Sequence, residues 1–234
     1  MKNRNNIAPL AQLEGVSKIF RTAGRETAVL KNIRFEAWPG ELVLLLGPSG
    51  SGKSTFLTIL AGLQAPTSGK VWLFGRELQS YSTQELQLLR ASRIGFIFQT
   101  FHLIEALNGL ENIQLVMKFM HTPVKAARSR ALELLERLGI GYLAQAYPKT
   151  MSQGEKQRVA VARALANHAT LIIGDEPTGS LSTQQGMDIV QLLREVAKQE
   201  NRCVVLASHD QRIAAYAARG FQLQRGEVVA QSQA

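Results

Sequence analysis

Residues 41–55 read ELVLLLGPSGSGKST: an apolar run of strand length, a glycine-rich turn and the opening of a helix in immediate succession. The run LVLLL shows no polar alternation, so it predicts a strand covered on both faces, as in a parallel sheet. Gly47 to Thr55 then carry the pattern G-x-x-x-x-G-K-[ST] in the strand-to-helix setting that makes it meaningful. Gly47, Gly50 and Gly52 let backbone N–H groups approach phosphate oxygens, and Pro48, Ser49, Ser51 and Thr55 complete the loop. Lys53 can set its ammonium between the β- and γ-phosphates, Ser54 offers a hydroxyl to Mg²⁺, and the helix N-terminus favours the anion.

Outward from this loop the chain reads as α/β. AQLEGVSKIF (11–20), AVLKNIRFEA (28–37) and GKVWLFG (69–75) are strand-like runs punctuated by Gly or Pro, and GKSTFLTILAGL (52–63) is a helix between them. From about Ser82 to Ala166 the period turns helical in STQELQLLRASR (82–93), AARSRALELLERLGI (126–140) and GEKQRVAVARALAN (154–167), interrupted by the strand IGFIFQ (94–99). Two further apolar strands, TLIIGDE (170–176) and CVVLASHD (203–210), flank the helix TQQGMDIVQLLREVAKQE (183–200), and GFQLQRGEVVA (220–230) reads as a closing hairpin. Strand–helix–strand alternation predicts a parallel sheet.

The 234 residues are 45% hydrophobic, enough for a full core and one large folded unit. The 27 basic and 18 acidic residues leave a net charge of +9, which favours an anionic partner without choosing among nucleic acid, lipid and nucleotide. Cys203 is the only cysteine, which excludes a disulfide framework or multi-cysteine metal site and fits a reducing compartment. The N-terminal MKNRNNIAPLAQLEG lacks the apolar run of a secretory signal, and no stretch approaches the roughly 18 apolar residues of a spanning helix.

Asp175 and Glu176 end the strand LIIGD, where open parallel sheets place their ligands. Asp175 is positioned to hold Mg²⁺ through water, and Glu176 can polarise a water in line with the γ-phosphorus. His209 ends another strand and could reach the same phosphate, while Gln99 offers a neutral amide to Mg²⁺ or water. Ser152 and Glu155 fit a capping box at the start of a helix whose N-terminal hydroxyl and Gly154 N–H would also favour an anion.

Taken in order, GPSGSGKST, FQ (98–99), MSQGEKQR (151–158), LIIGDEPTGSLS (171–182) and SHD (208–210) resemble the ATP-binding cassette of ABC transporters over nearly the whole chain. The resemblance implies an ATP hydrolase with a P-loop NTPase core, an N-terminal antiparallel β subdomain and an inserted α-helical subdomain. It implies one domain over residues 10–230, with β and core parts at 10–98 and 167–230, a helical subdomain at about 99–166, and a flexible N-terminus at 1–9. It also implies a homodimer in which Ser152, Gln153, Gly154 and Glu155 face the γ-phosphate of MgATP held by the second copy, and an aromatic at Phe20 that stacks on adenine. Gln153 stands where a second glycine is common, Glu155 where Gln is common and Ser182 where Asp is common. The Glu155 carboxylate is therefore expected to point back along its own helix, and linkage between the two sites to be weaker at Ser182.

GRETAVLKNI (24–33), the stretch RASRIGFIFQTFHLIEALNGLENI (90–113) and YPKTMSQGE (147–155) are similar to the macrolide-exporter and lipoprotein-releasing branch. That likeness implies a membrane permease with four spanning helices and a large extracytoplasmic domain, with the ATPase peripheral on the cytoplasmic face of the bacterial inner membrane. The apolar segment after Gln99 is expected to dock a short helix of that permease through Phe101 and Leu103. Two other readings stay open at this point: a soluble ABC-type ATPase of nucleic-acid repair or translation, and a division-type signalling scaffold of low ATPase activity. No nucleic-acid partner is expected under the transporter reading.

Overall fold

The computed structural model describes residues 8–22 and 24–230; most of the N-terminus expected to be flexible, residues 1–7, lies outside them. In chain order the elements are β1 (Ala11–Thr22), β2 (Arg25–Ala37), β3 (Leu42–Leu46), α1 (Lys53–Leu60), β4 (Ser68–Leu73), β5 (Arg76–Glu77) and α2 (Thr83–Arg93). There follow β6 (Ile94–Phe98), α3 (Gly109–Lys118), α4 (Val124–Arg137), α5 (Gln153–Leu165), β7 (Leu171–Asp175), α6 (Thr183–Gln199), β8 (Cys203–Ser208), β9 (Arg219–Gln224) and β10 (Glu227–Ala230). Among the described residues the strands form an antiparallel sheet, ordered β2-β1-β4-β5, and a second sheet ordered β10-β9-β3-β8-β7-β6. In the second, β9, β3, β8, β7 and β6 run parallel and β10 closes the edge as an antiparallel hairpin.

The unbroken apolar run of β3 has a structural cause. Leu42, Leu44 and Leu46 pack into one core with Ile172, Val204, Leu206 and helices α3 to α6. Val43 and Leu45 pack into another with Ile173, Val205, Cys203, α1 and the antiparallel sheet. Alternate side chains of one strand thus enter opposite cores, and both faces require apolar residues. Burial holds the Cys203 thiol well above its usual range, so it is an inert packing group.

Helix starts are set by side-chain caps. Ser82, Asn108, Ser152 and Ser182 each accept from the backbone N–H three residues on, and Glu85, Glu111, Glu155 and Gln185 complete the reciprocal box. Helix α3 is absent from the sequence expectations above, and its signal is the box Asn108–Glu111 inside NGLE. No helix among the described residues is long and apolar enough to cross a membrane.

Helix α5 lies directly on β6: a Cβ added at Gly95 would sit 2.2 Å from the Ala164 carbonyl oxygen. Gly95→Ala must therefore push α5 off the sheet, with an expected loss of about 1–3 kcal/mol in a urea titration. An unchanged midpoint would show that this contact carries no stability.

Candidate active site

Register brings the site together. Leu46 pairs with Ser208, Ala207 with Asp175, and Asp175 with Phe98, so β3, β8, β7 and β6 finish nearly level with one another. The residues that follow these ends are Gly47, His209, Glu176 and Gln99, a row along one edge of the sheet. Backbone bonds stitch the row, from Gly47 N–H to Ser208 O at 3.3 Å and from Glu176 N–H to Ala207 O at 3.0 Å.

Lys53, Glu176 and His209 meet there. The Lys53 ammonium donates to the Gly47 and Pro48 carbonyls at 2.8 and 3.1 Å and lies 3.2 Å from Glu176 Oε1. His209 Nδ1 stands 2.9 Å from Glu176 Oε2. A carboxylate oxygen facing a ring nitrogen at this distance accepts when Nδ1 carries the proton. Exposure grades across the trio, with the Lys53 side chain 6% accessible, Glu176 15% and His209 61%, so the imidazole forms the solvent-side wall. Glu176 is held at φ +49°, a left-handed conformation that costs a non-glycine residue about 1–3 kcal/mol.

The loop itself fits a phosphate chain. Gly50 and Gly52 adopt φ of +77° and +102°, and a Cβ at Gly50 would meet nothing within 4 Å. The first turn of α1 holds no acidic residue and no side chain caps it, so its N–H groups remain available to an anion. Among the described residues Ser51 Oγ, which is buried, finds no hydrogen-bond partner. For a divalent cation the sequence candidates Ser54, Gln99 and Asp175 offer hard oxygens: a hydroxyl, an amide and one carboxylate. That set suits Mg²⁺, which binds through few carboxylates together with water and substrate phosphates. Among the described residues no cluster of three His, Cys, Asp or Glu side chains could hold a metal unaided.

Ser152 and its neighbours form a separate group, with contacts to Tyr142 and α6. Glu155 Oε2 accepts from Ser152 N–H at 2.7 Å, so the carboxylate does turn back along its own helix. Gly154 faces the start of α6, where a Cβ would come within 2.9 Å of Gln185 Nε2. Ser182 is the N-cap of α6, a role that Ser fills as well as Asp. Phe20 is 37% exposed, with Lys18 Nζ 5.3 Å from its ring centroid; it is not a core residue, and its ring stays accessible.

A family model described as ABC transporter matches residues 30–179, which run from β2 through the phosphate loop and the Ser152 corner to the loop after Glu176. The chain belongs to the ABC transporter family. As its ATP-binding cassette it is an ATP hydrolase. It is 40% identical over 222 residues to the macrolide export ATP-binding/permease protein MacB of Hahella chejuensis, covering 95% of this chain and 34% of that one. It is also 40% identical to the uncharacterized ABC transporter ATP-binding protein MJ1508 of Methanocaldococcus jannaschii, covering 94% and 98% of the two. The solved dimer of the cassette MJ0796 in a post-hydrolysis state, bound to ADP and Pi, superposes with a TM-score of 0.87 at 36% identity, covering 95% of this chain and 98% of that one. The chain spans 34% of the length of MacB from Hahella chejuensis and of MacB from Wolinella succinogenes.

Two residues of this cassette were not among the sequence candidates. Gln157 is fully buried on α5, and its Nε2 donates 2.6 Å to the carbonyl of Pro177, the residue after Glu176. Arg163 donates to the Phe101 and His102 carbonyls, fixing the loop after Gln99 where both residues take positive φ. Spacing could not flag either one, since a polar residue on an amphipathic helix reads as solvent-facing. Phe101 itself is buried and Leu103 packs against the core, which corrects the expected docking pair: the left-handed turn and the Arg163 bonds point Phe101 inward.

Gln157→Met keeps the volume and removes the donor, leaving the buried Pro177 carbonyl unpaired. The expected cost is about 1–3 kcal/mol, read as a lower denaturation midpoint. Stability equal to the parent would mean that Gln157 does not brace this loop.

Proposed function

We propose that two copies of this cassette close head to tail around two MgATP, each Ser152 corner completing the site of the other copy, and that closure drives a separate membrane permease. Lys53 and the Gly47–Thr55 loop hold the β- and γ-phosphates, and Phe20 stacks on adenine. Ser54, Gln99 and Asp175 would hold Mg²⁺, which would supply charge neutralisation at the phosphates. Glu176 accepts the proton of the attacking water, and His209 orients its carboxylate while walling the γ-phosphate side. ADP leaves and phosphate is formed.

The observation that carries this reading is the direct contact of Lys53 and His209 with the two oxygens of one carboxylate, at the level ends of adjacent parallel strands. The dimeric arrangement draws support from the solved cassette dimers similar to this chain. Glu176→Gln removes the proton acceptor but keeps the shape and the Lys53 contact. ATPase turnover is expected to fall about 10²–10⁴-fold, while ATP-dependent dimers persist in light scattering. Undiminished turnover would remove Glu176 from this role.

The permease dock is an apolar groove of about 370 Å³ between β6, α3 and α5. Phe98 and His102 stack at 4.4 Å on one wall, and Ile104, Leu115, Val116 and Phe119 continue it. Phe119 is 67% exposed and extends the apolar lining toward solvent. A short amphipathic helix of the permease fits such a groove. The complex would sit on the cytoplasmic face of the bacterial inner membrane and move or extract a lipid, lipoprotein, macrolide, peptide or haem-type substrate. Phe119→Glu is expected to abolish co-purification with the permease and leave the ATPase of the isolated cassette within about twofold of the parent. Retained co-purification would place the dock elsewhere.

A further inference from the structure

The glutamate at the Ser152 corner poses an electrostatic problem that the geometry addresses. The N-terminus of α5 carries the partial positive charge that attracts a phosphate, and an ionised carboxylate at its third position opposes that attraction if free to swing toward the ligand. Both Glu155 oxygens are engaged instead. Oε2 accepts from Ser152 N–H at 2.7 Å, and Oε1 accepts from the Tyr142 hydroxyl at 2.7 Å. Tyr142 lies in the short helical turn Gly141–Leu143, between α4 and α5. Its ring is 71% exposed, so core packing does not account for its placement.

Gly154 turns toward Gln185 on α6, whereas the next residue, Glu155, turns toward the 141–143 turn. Neighbouring positions of α5 therefore have separate surroundings, and the carboxylate is tethered to the Tyr142 side. The Tyr142 bond is also the leading cause of a lowered Glu155 pKa, followed by the Ser152 bonds, so the group stays charged through neutral pH. A charge that persists has to be steered.

We infer that Tyr142 is a positioning residue: with Ser152 N–H on the other oxygen, its hydroxyl pins the Glu155 carboxylate to the 141–143 side of the α5 N-terminus and occupies its second oxygen, so that a glutamate at this corner does not swing toward the nucleotide of the second copy. This rests on the head-to-tail reading proposed above. A glutamine in place of Glu155 would need no such tether, because it is neutral and can still accept from Ser152 N–H. Tyr142 matters only while residue 155 carries charge.

The test uses the full chain with Glu176→Gln, to stop turnover, and measures MgATP-dependent dimerisation by analytical ultracentrifugation. Adding Tyr142→Phe removes one hydroxyl and is expected to weaken dimerisation roughly three- to thirtyfold, because a charge at each of two helix ends is affected. Raising the salt should shrink that difference. In a Glu155→Gln background the same change should have no effect. Equal weakening in both backgrounds would assign Tyr142 a packing role, and no weakening in either would show the tether to be idle; each overturns the inference while leaving the dimer intact. A parent that forms no MgATP-dependent dimer would overturn the head-to-tail reading, and the inference with it.

Discussion

A parallel sheet covered on both faces leaves its strand ends as the places where polar chemistry can reach a ligand, and this constraint organises the molecule. The alternating side chains of β3 are committed to two different cores, so none is left to build a site along the strand. Polar function moves to the residues immediately after the strands, where four adjacent ends present a glycine loop, a histidine, a carboxylate and an amide. Without level registers these groups would be scattered over several ångströms per residue of slip, since each residue advances a strand by about 3.3 Å.

Glu176 shows what that arrangement demands locally. It leaves β7 in a left-handed turn, and the turn is held from several directions: its N–H bonds to Ala207 O at 3.0 Å, its carbonyl receives Gly179 N–H at 3.0 Å, and the following carbonyl is clamped by Gln157. The side chain is fixed by Lys53 and His209. An unfavourable backbone conformation survives only where its surroundings over-determine it, and here the surroundings aim one carboxylate at the end of the phosphate loop.

Legibility in the sequence followed the range of the interaction. The phosphate loop, the acidic pair and the Ser152 cap are local patterns, and β3, β7 and β8 are apolar runs that burial on two faces dictates. The Glu155 orientation was legible too, because a capping box needs only residues three apart. Strand order is not encoded locally, so the meeting of Lys53 with Glu176 and His209 could be anticipated only as a shared edge. Helix α3 was hidden by its loop-like Asn108–Gly109 start, and Gln157 and Arg163 by lying on a helix where polar side chains usually meet water. Phe101 misled for the opposite reason: an apolar residue in a segment read as a surface dock proved to be tucked under a turn with positive φ.

Helix α5 is the element through which these parts become one mechanical body. At its N-terminus it carries the corner proposed to meet the second nucleotide, and one turn later Gln157 grips the loop that bears Glu176. Further on Arg163 holds the loop after Gln99, and near the C-terminal end Ala164 rests on Gly95 of β6. Gly154 meets Gln185 at the head of α6, so Ser182 lies one capping turn from the same contact. Close-packed contacts of this kind transmit displacement because they cannot deform continuously. These contacts join the corner of α5 to the loops after β6 and β7 and to the start of α6, and the Ser182 cap is one link among several.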